Sequence, residues 1–124
     1  MVDPQITHLL ESSINTSCKL AVIITFWQHG PLHATPHEMA ARVCRDIWSV
    51  ETALQELAND GILTRQDKRY CCTPSPDLSE QLQLLCDTYA HPLQRTELQQ
   101  LLREIELYAR YRNNAPFGFD SRVA

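Results

Sequence analysis

The most reactive side chains of this sequence are its five cysteines, two of which, Cys71 and Cys72, are adjacent. They fall in a predicted strand, whose successive side chains point to opposite faces, so the two thiols should neither bond to each other nor share a metal ion. The nearby Lys68 and Arg69 would favour the thiolate, which would make the pair a redox switch. The alternative, which we prefer, is that both cysteines serve as small apolar side chains of the strand.

Metal-ligating residues are present, but their spacing does not favour a metal site. The chain has no Cys-x-x-Cys pair of the kind that holds structural zinc. The remaining cysteines fall in predicted helices and should fill core space: Cys18, Cys44 and Cys86. Three histidines recur every fourth residue: His29, His33 and His37. The pair Gly30-Pro31 interrupts any helix that would place these histidines on one face. The alternative is a metal sensor that combines the histidines with Cys18 or Cys44.

No catalytic motif is recognisable in the chain. The sequence lacks a nucleophile elbow, a phosphate-binding loop, a dinucleotide fingerprint and a zincin motif. Its acidic residues are numerous but follow the surfaces of predicted helices. We therefore predict a protein that is not an enzyme and that uses no cofactor and no metal.

Length and composition restrict the classes of protein further. With 124 residues, 44% of them hydrophobic and 21% charged, the chain suits one domain with a single core. Its net charge of −4 means that contact with nucleic acid would need a local basic patch. The longest apolar run, Leu20 to Trp27, falls short of the roughly 20 residues of a membrane span, so we expect no membrane contact. The N-terminus shows no signal-peptide pattern, which predicts a cytoplasmic protein with reduced cysteines.

Local signals predict a mainly helical chain. The pairs Asp3-Pro4 and Thr16-Ser17 can begin two helices, and the second helix is apolar nearly all round, which indicates a buried central helix. Gly30-Pro31 should end that helix.

A helix-turn-helix follows in the sequence. Residues Thr35 to Glu38 form a capping box with proline at the first helical position, and the helix that they open would turn Met39 and Val43 inward. Asp46 can cap the second helix, whose apolar residues follow the spacing i, i+3, i+4 and i+7: Val50, Ala53, Leu54 and Leu57. Gly61 suits the left-handed position after it.

A hairpin and two further helices complete the predicted elements. The segments Ile62 to Arg65 and Arg69 to Thr73 should pair across a turn at 66–68. Asp77 can cap the next helix, and a last helix should run from about Leu93 to Arg112. The last helix carries an apolar stripe: Leu98, Leu101, Leu102, Ile105 and Tyr108. Because a small helical domain does not need two extra amphipathic helices, we predict a homodimer formed through this stripe. The alternative is a monomer in which these helices fold on the chain's own first helix.

This order of elements is that of a winged helix-turn-helix. Over about Ser17 to Leu78, the chain resembles bacterial winged-helix regulators of the MarR-like and PadR-like kind. Besides the apolar positions of both motif helices, the resemblance rests on Gly61-Ile62-Leu63 before the wing and on Arg69-Tyr70 after it. It departs at the motif turn, where Cys44 replaces the usual glycine or small polar residue.

The resemblance implies a mainly α fold, a winged helix-turn-helix with a two-stranded wing and two additional C-terminal helices. We expect a winged helix-turn-helix domain with its N-terminal helix over residues 1–76. A helical dimerisation region should follow over 77–112 and a flexible tail over 113–124.

The second motif helix is acidic where a DNA reader is normally basic. Segment 46–60 has four acidic residues and no basic residue, although DNA affinity comes largely from neutralising phosphates. Thr52 and Gln55 could still read bases and Ser49 could reach a phosphate, while Glu51 could accept from cytosine but would be repelled by phosphates. The cations that could supply affinity flank the helix: Arg42 and Arg45 at the turn, and Arg65, Lys68 and Arg69 on the wing.

These observations predict a regulator of transcription that binds double-stranded DNA, with helix 46–59 in the major groove and wing 64–70 on the backbone. The predicted DNA contacts are Arg42, Arg45, Trp48, Ser49, Thr52, Gln55, Arg65, Lys68 and Arg69. The alternative is a protein-interaction module that docks a protein partner on the acidic helix face and Trp48, because tryptophan is enriched at interfaces. Trp48 could also fold back onto the core, which would remove it from either role.

Overall fold

The computed structural model describes residues 2–29 and 32–114, with side chains as far as Tyr108. Within these residues lie six helices and two strands, so the chain is mainly α. In chain order they are α1 (Pro4–Ser12), α2 (Ser17–Gln28), α3 (Pro36–Val43), α4 (Ile47–Asn59), β1 (Leu63–Gln66), β2 (Arg69–Cys72), α5 (Pro76–Ala90) and α6 (Pro92–Asn114). The predicted fold class is confirmed: α3 and α4 form the helix-turn-helix, β1 and β2 form the wing, and α5 and α6 are the additional helices.

Side-chain caps begin the first four helices at the predicted residues. The side chains of Asp3, Thr16 and Asp46 each accept a backbone N–H from the first turn of the helix that follows. The capping box is reciprocal: Thr35 N donates to Glu38 Oε1 at 2.9 Å, and Glu38 N donates to Thr35 Oγ1 at 3.2 Å. These caps satisfy amides that have no partner inside their own helix.

The ends of three elements differ from the sequence prediction or cannot be compared with it. Ser75, rather than Asp77, caps α5 by accepting from Leu78 N at 3.4 Å, because the Ser75-Pro76 pair supplies both a cap and a preset φ. Asn113 and Asn114, predicted as the start of the tail, belong to α6. The predicted stop of α2 at Gly30-Pro31 and the rest of the tail, 115–124, lie outside the described residues.

The core surrounds α2, as its apolar composition predicted. This helix packs against α3, α4 and β2 and also against α5 and α6, while α1 packs against α5 and α6. Val22, Ile23 and Phe26 of α2 are at most 1% exposed. The predicted inner face of α4 is buried against them: Val50, Ala53, Leu54 and Leu57. The orientation of α4 is thereby fixed, and its polar face is turned outward.

Two residues in the left-handed region shape the ends of the motif helices. Gly61, with φ 83°, follows α4 as predicted, and glycine adopts this conformation without steric cost. Cys44, with φ 57° and ψ 46°, makes the turn between α3 and α4. Its side chain is exposed, so the prediction that Cys44 fills core space is wrong. Cys44 occupies the turn position at which glycine is usual.

The wing is an antiparallel pair that is tied to the start of α3. β1 and β2 are joined by the two-residue turn Asp67-Lys68, in which Asp67 has φ 62°. On the other edge of β2, Tyr70 exchanges two backbone hydrogen bonds with Ala34, of 3.0 and 2.8 Å. This bridge fixes the wing relative to the helix-turn-helix.

The apolar stripe of α6 is divided between the core and the surface. Leu98 and Leu102 are 0% and 2% exposed inside the core of their own chain. The prediction that these two residues form a dimer surface is therefore wrong, because α6 already packs them against the other helices. Leu101 and Ile105 are half-buried, and Tyr108 is 62% exposed.

Candidate nucleic-acid interface

The outward face of α4 carries four of the predicted DNA contacts. Trp48, Ser49, Thr52 and Gln55 are all exposed. Trp48 is 76% exposed, so this side chain does not fold back onto the core. The outward face of α4 therefore exposes one aromatic side chain, two hydroxyl side chains and one amide.

Asp46, the first acidic residue of segment 46–60, caps the helix α4. Ser49 N donates to Asp46 Oδ2 at 2.9 Å. This hydrogen bond holds the pKa of Asp46 below its usual value. The carboxylate therefore stabilises the N-terminus of α4, where a negative charge also complements the helix dipole.

A second acidic residue, Glu56, is paired with a buried lysine of α2. Lys19 is 4% exposed, and its Nζ lies 2.6 Å from Glu56 Oε1. The same Nζ donates to Asn15 Oδ1 at 3.0 Å. The ion pair links α2 to α4 and offsets one of the four negative charges of segment 46–60.

The third acidic residue, Glu51, lines a groove between α4 and the wing. The groove has a volume of about 390 Å³. Its walls come from the start of α3, from α4 and from the wing: Thr35, Pro36, His37, Glu51, Gln55, Arg65, Lys68 and Tyr70. Two cations and one carboxylate meet here, so the groove is positive although the helix on one side of it is acidic.

The cations of the wing differ in how strongly the protein engages them. Arg65 Nε donates to Asp67 O at 3.0 Å, and its guanidinium lies 6.0 Å from the centroid of the Tyr70 ring. Lys68, in the turn, is exposed. Both side chains line the groove beside α4.

Arg69 makes contacts within its own chain, and its predicted role in DNA binding stays a prediction. Its Nη1 lies 3.1 Å from Glu38 Oε1 and donates to His33 O at 3.3 Å. The hydrogen bond from Thr35 N, with Arg69 as a further cause, holds the pKa of Glu38 below its usual value. Arg69 therefore ties the wing to the capping box of α3, and it is not among the cations that line the groove.

The two arginines of the motif turn are exposed, but they lie apart from the groove. Arg45 lines a second cavity of about 450 Å³, between the start of α2, α4 and α6, together with Trp48 and Glu106. Glu106 Oε1 accepts from Ser17 N at 3.0 Å, at the start of α2. Arg42 is exposed near the end of α3.

The cysteine environments do not favour the redox interpretation. Burial raises the pKa of Cys72 to about 11, which favours the thiol rather than the thiolate. Cys71 is buried and its Sγ contacts Thr64 O at 3.7 Å. Burial likewise raises the pKa of Cys86 to about 12, and Cys18 is buried as predicted. These environments support the preferred alternative, in which Cys71 and Cys72 serve as small apolar side chains of the strand.

The histidines do not come together into a metal site. His37 lines the wing groove and the carbonyl oxygen of His33 receives Arg69. Over residues 2–29 and 32–108, no three His, Cys, Asp or Glu side chains are grouped so that they could hold a metal ion. Over the same part of the chain, no helix has the length and apolar character of a membrane span.

The sequence prediction missed two residues that shape this interface, Lys19 and Glu106. The signal for Lys19 was present, because a lysine in the first turn of an apolar helix needs an anion when it is buried. Its partner, 37 positions along the chain, could not be read from local spacing. No local signal identified Glu106 as the acceptor for α2.

The comparisons with known proteins add little to this geometry. No family model matches the chain, and no curated protein is significantly similar to it. Among solved structures, the crystal structure of a MarR family protein from Mycobacterium tuberculosis is similar at a TM-score of 0.47 and 16% identity, over 91% of this chain and 73% of that one. The assignment of the fold rests on the elements described above, and membership of the MarR-like or PadR-like families stays a prediction.

Proposed function

We propose that this chain is a DNA-binding regulator of transcription, with α4 in the major groove and the wing on the phosphate backbone. The observation that carries the proposal is the groove in which Gln55 of α4 faces the wing cations Arg65 and Lys68. An amide that could read a base and two cations that could bind phosphates therefore line one groove, and a DNA reader combines these two kinds of contact.

The acidity of α4 opposes this function less than the sequence suggests. Glu56 is paired with Lys19, whereas Asp46 keeps its negative charge but caps its own helix and does not line the groove. Glu51 is therefore the acidic residue that faces the groove, and Arg65 and Lys68 outnumber it there. The backbone contacts would come from these two cations, with Arg42 and Arg45 at the motif turn.

Fluorescence anisotropy with random duplexes at about 20 mM salt tests the proposal, because electrostatic affinity is greatest at low salt. Binding should weaken as salt rises. Lys68→Ala should weaken binding to all duplexes alike and reduce the slope of log K against log salt by about 1. Arg103→Ala, which removes one exposed positive charge that does not line the groove, is the charge control and should leave the slope unchanged once light scattering shows that it has the wild-type mass. An absence of binding at about 20 mM salt would refute the proposal.

A second function is favoured by the exposure of Trp48. A tryptophan that is 76% exposed at the start of a helix is the kind of side chain that anchors protein interfaces. In that case α4 would dock a protein through Trp48 and its acidic neighbours, and the chain would fail to bind duplexes even at low salt. The anisotropy measurement therefore separates the two functions.

We also infer that the chain forms a homodimer through the outer side of α6. Leu107 and Tyr108 are 54% and 62% exposed, and Leu101 and Ile105 are half-buried beside them along the helix. A two-fold dimer would cover this surface and present two wings to two half-sites. Light scattering during gel filtration measures the mass, and a particle of one chain's mass, 14.2 kDa, at about 100 µM would contradict the dimer.

A further inference from the structure

Glu51 is the carboxylate of α4 that the fold leaves beside the wing. Asp46 accepts from Ser49 N, Glu56 pairs with Lys19, and Asp60 follows the last turn of the helix. Glu51 is exposed, lines the wing groove and forms no ion pair among the residues that the structure describes. It is therefore available to a ligand that enters the groove.

We propose that Glu51 reads a cytosine in the operator, an inference that rests on the proposed DNA-binding function. A carboxylate only accepts hydrogen bonds. In the major groove, guanine presents two acceptors and thymine presents an acceptor and a methyl group, so neither can satisfy Glu51. Cytosine presents the N4 amino donor, which makes it the base that a carboxylate selects.

Adenine is the remaining donor in the major groove, and it fits Gln55 better than Glu51. Adenine places its N6 donor beside the N7 acceptor, a pair that an amide matches with both of its groups. A carboxylate would bond to N6 but would face the lone pair of N7. Glu51 and Gln55 are four residues apart on one helix face, about 6 Å along the axis. They would therefore read bases one or two steps apart.

The wing removes the main electrostatic objection to a carboxylate at this interface. Phosphates repel Glu51, but Arg65 and Lys68 line the same groove, and each can neutralise a phosphate beside it. The repulsion that remains adds to specificity: a buried carboxylate that faces a base edge without a donor is costly, so guanine or thymine at the position beside Glu51 is rejected. The acidic residue thus selects sequence while the cations supply affinity.

Selection from a random duplex library tests the inference with the full chain. The wild-type protein should enrich a fixed C·G pair one or two steps from an A·T pair. Replacement of the C·G pair in the selected duplex should weaken binding by about 5- to 150-fold. Glu51→Gln should lose the cytosine preference and favour adenine there, because glutamine matches adenine. Glu11→Gln removes the same charge from the exposed surface of α1 and should keep the wild-type preference.

Each outcome distinguishes this inference from the function on which it rests. Duplexes retained without enrichment of cytosine would overturn the role of Glu51 and leave DNA binding standing. The same holds if Glu51→Gln keeps the cytosine preference, or if Glu11→Gln loses it equally. No retention of duplexes at about 20 mM salt would overturn both. If Glu51→Gln does not fold, the base-pair replacements with the wild-type protein decide the question alone.

Discussion

Replacing the two partners of the Lys19–Glu56 ion pair should have unequal effects on stability. Lys19 has a side chain that is 5% exposed, whereas that of Glu56 is 53% exposed. Glu56→Gln would leave a buried ammonium with a neutral amide and with Asn15 Oδ1 at 3.0 Å. Lys19→Met would leave a carboxylate that water can reach, and it would fill the buried space with an unbranched apolar chain.

The magnitudes follow from this difference in burial. Breaking a fully buried pair costs about 3–5 kcal/mol, whereas an exposed pair contributes about 0.2–1 kcal/mol. Since one partner is buried and the other is half-exposed, we expect Glu56→Gln to lower the free energy of unfolding by about 1–2 kcal/mol. Lys19→Met should cost no more than about 1 kcal/mol, because the half-exposed carboxylate that it leaves can be solvated. For a chain of this size, Glu56→Gln should lower Tm by about 4–8 °C.

Urea denaturation followed by circular dichroism, at one protein concentration for all variants, measures these free energies. The double variant Lys19→Met/Glu56→Gln should be close to Lys19→Met in stability, since the amide no longer faces a buried cation. A Lys19→Met cost equal to or larger than that of Glu56→Gln would refute the reasoning from burial. A cost below about 0.5 kcal/mol for Glu56→Gln would show that the pair is as weak as a surface pair.

Three further predictions test the turn, the last helix and the thiols. Gly61→Ala should lower the free energy of unfolding by about 1–2 kcal/mol because its φ is 83°. No described atom lies within 4 Å of the added Cβ, so the cost comes from the backbone conformation, and Gly61→Asn should cost less. Equal costs for the two variants in urea denaturation would point to another cause. Leu98→Ala should cost about 2–5 kcal/mol, whereas Leu93→Ala, at a site that is 84% exposed on the same helix, should cost under about 0.5 kcal/mol; similar values would contradict the burial of Leu98. A thiol reagent at pH 8 should modify exposed Cys44 well before Cys72, because a pKa of about 11 leaves Cys72 almost wholly protonated; mass spectrometry of peptides would show the order, and equal rates would contradict it.

The boundaries of the motif helices were predictable because their signals are local. A cap acts on amides two or three residues away, as Asp46 does on Ser49 N. The inner face of α4 follows from a spacing that any helix must respect. The cap of α5 was mispredicted at Asp77 because Ser75 offers an equally local signal two residues earlier.

The sequence by itself determined the helices, the hairpin and their order, since each depends on residues within one or two turns. The tertiary structure decided which charges remain available to a partner. Arg69 is held by Glu38, 31 positions away, and Glu56 by Lys19, 37 positions away. It also decided that Leu98 belongs to the core and that Trp48 is exposed. These outcomes depend on which elements pack together. Long polar side chains find their partners on neighbouring elements, and local sequence spacing does not encode those partners.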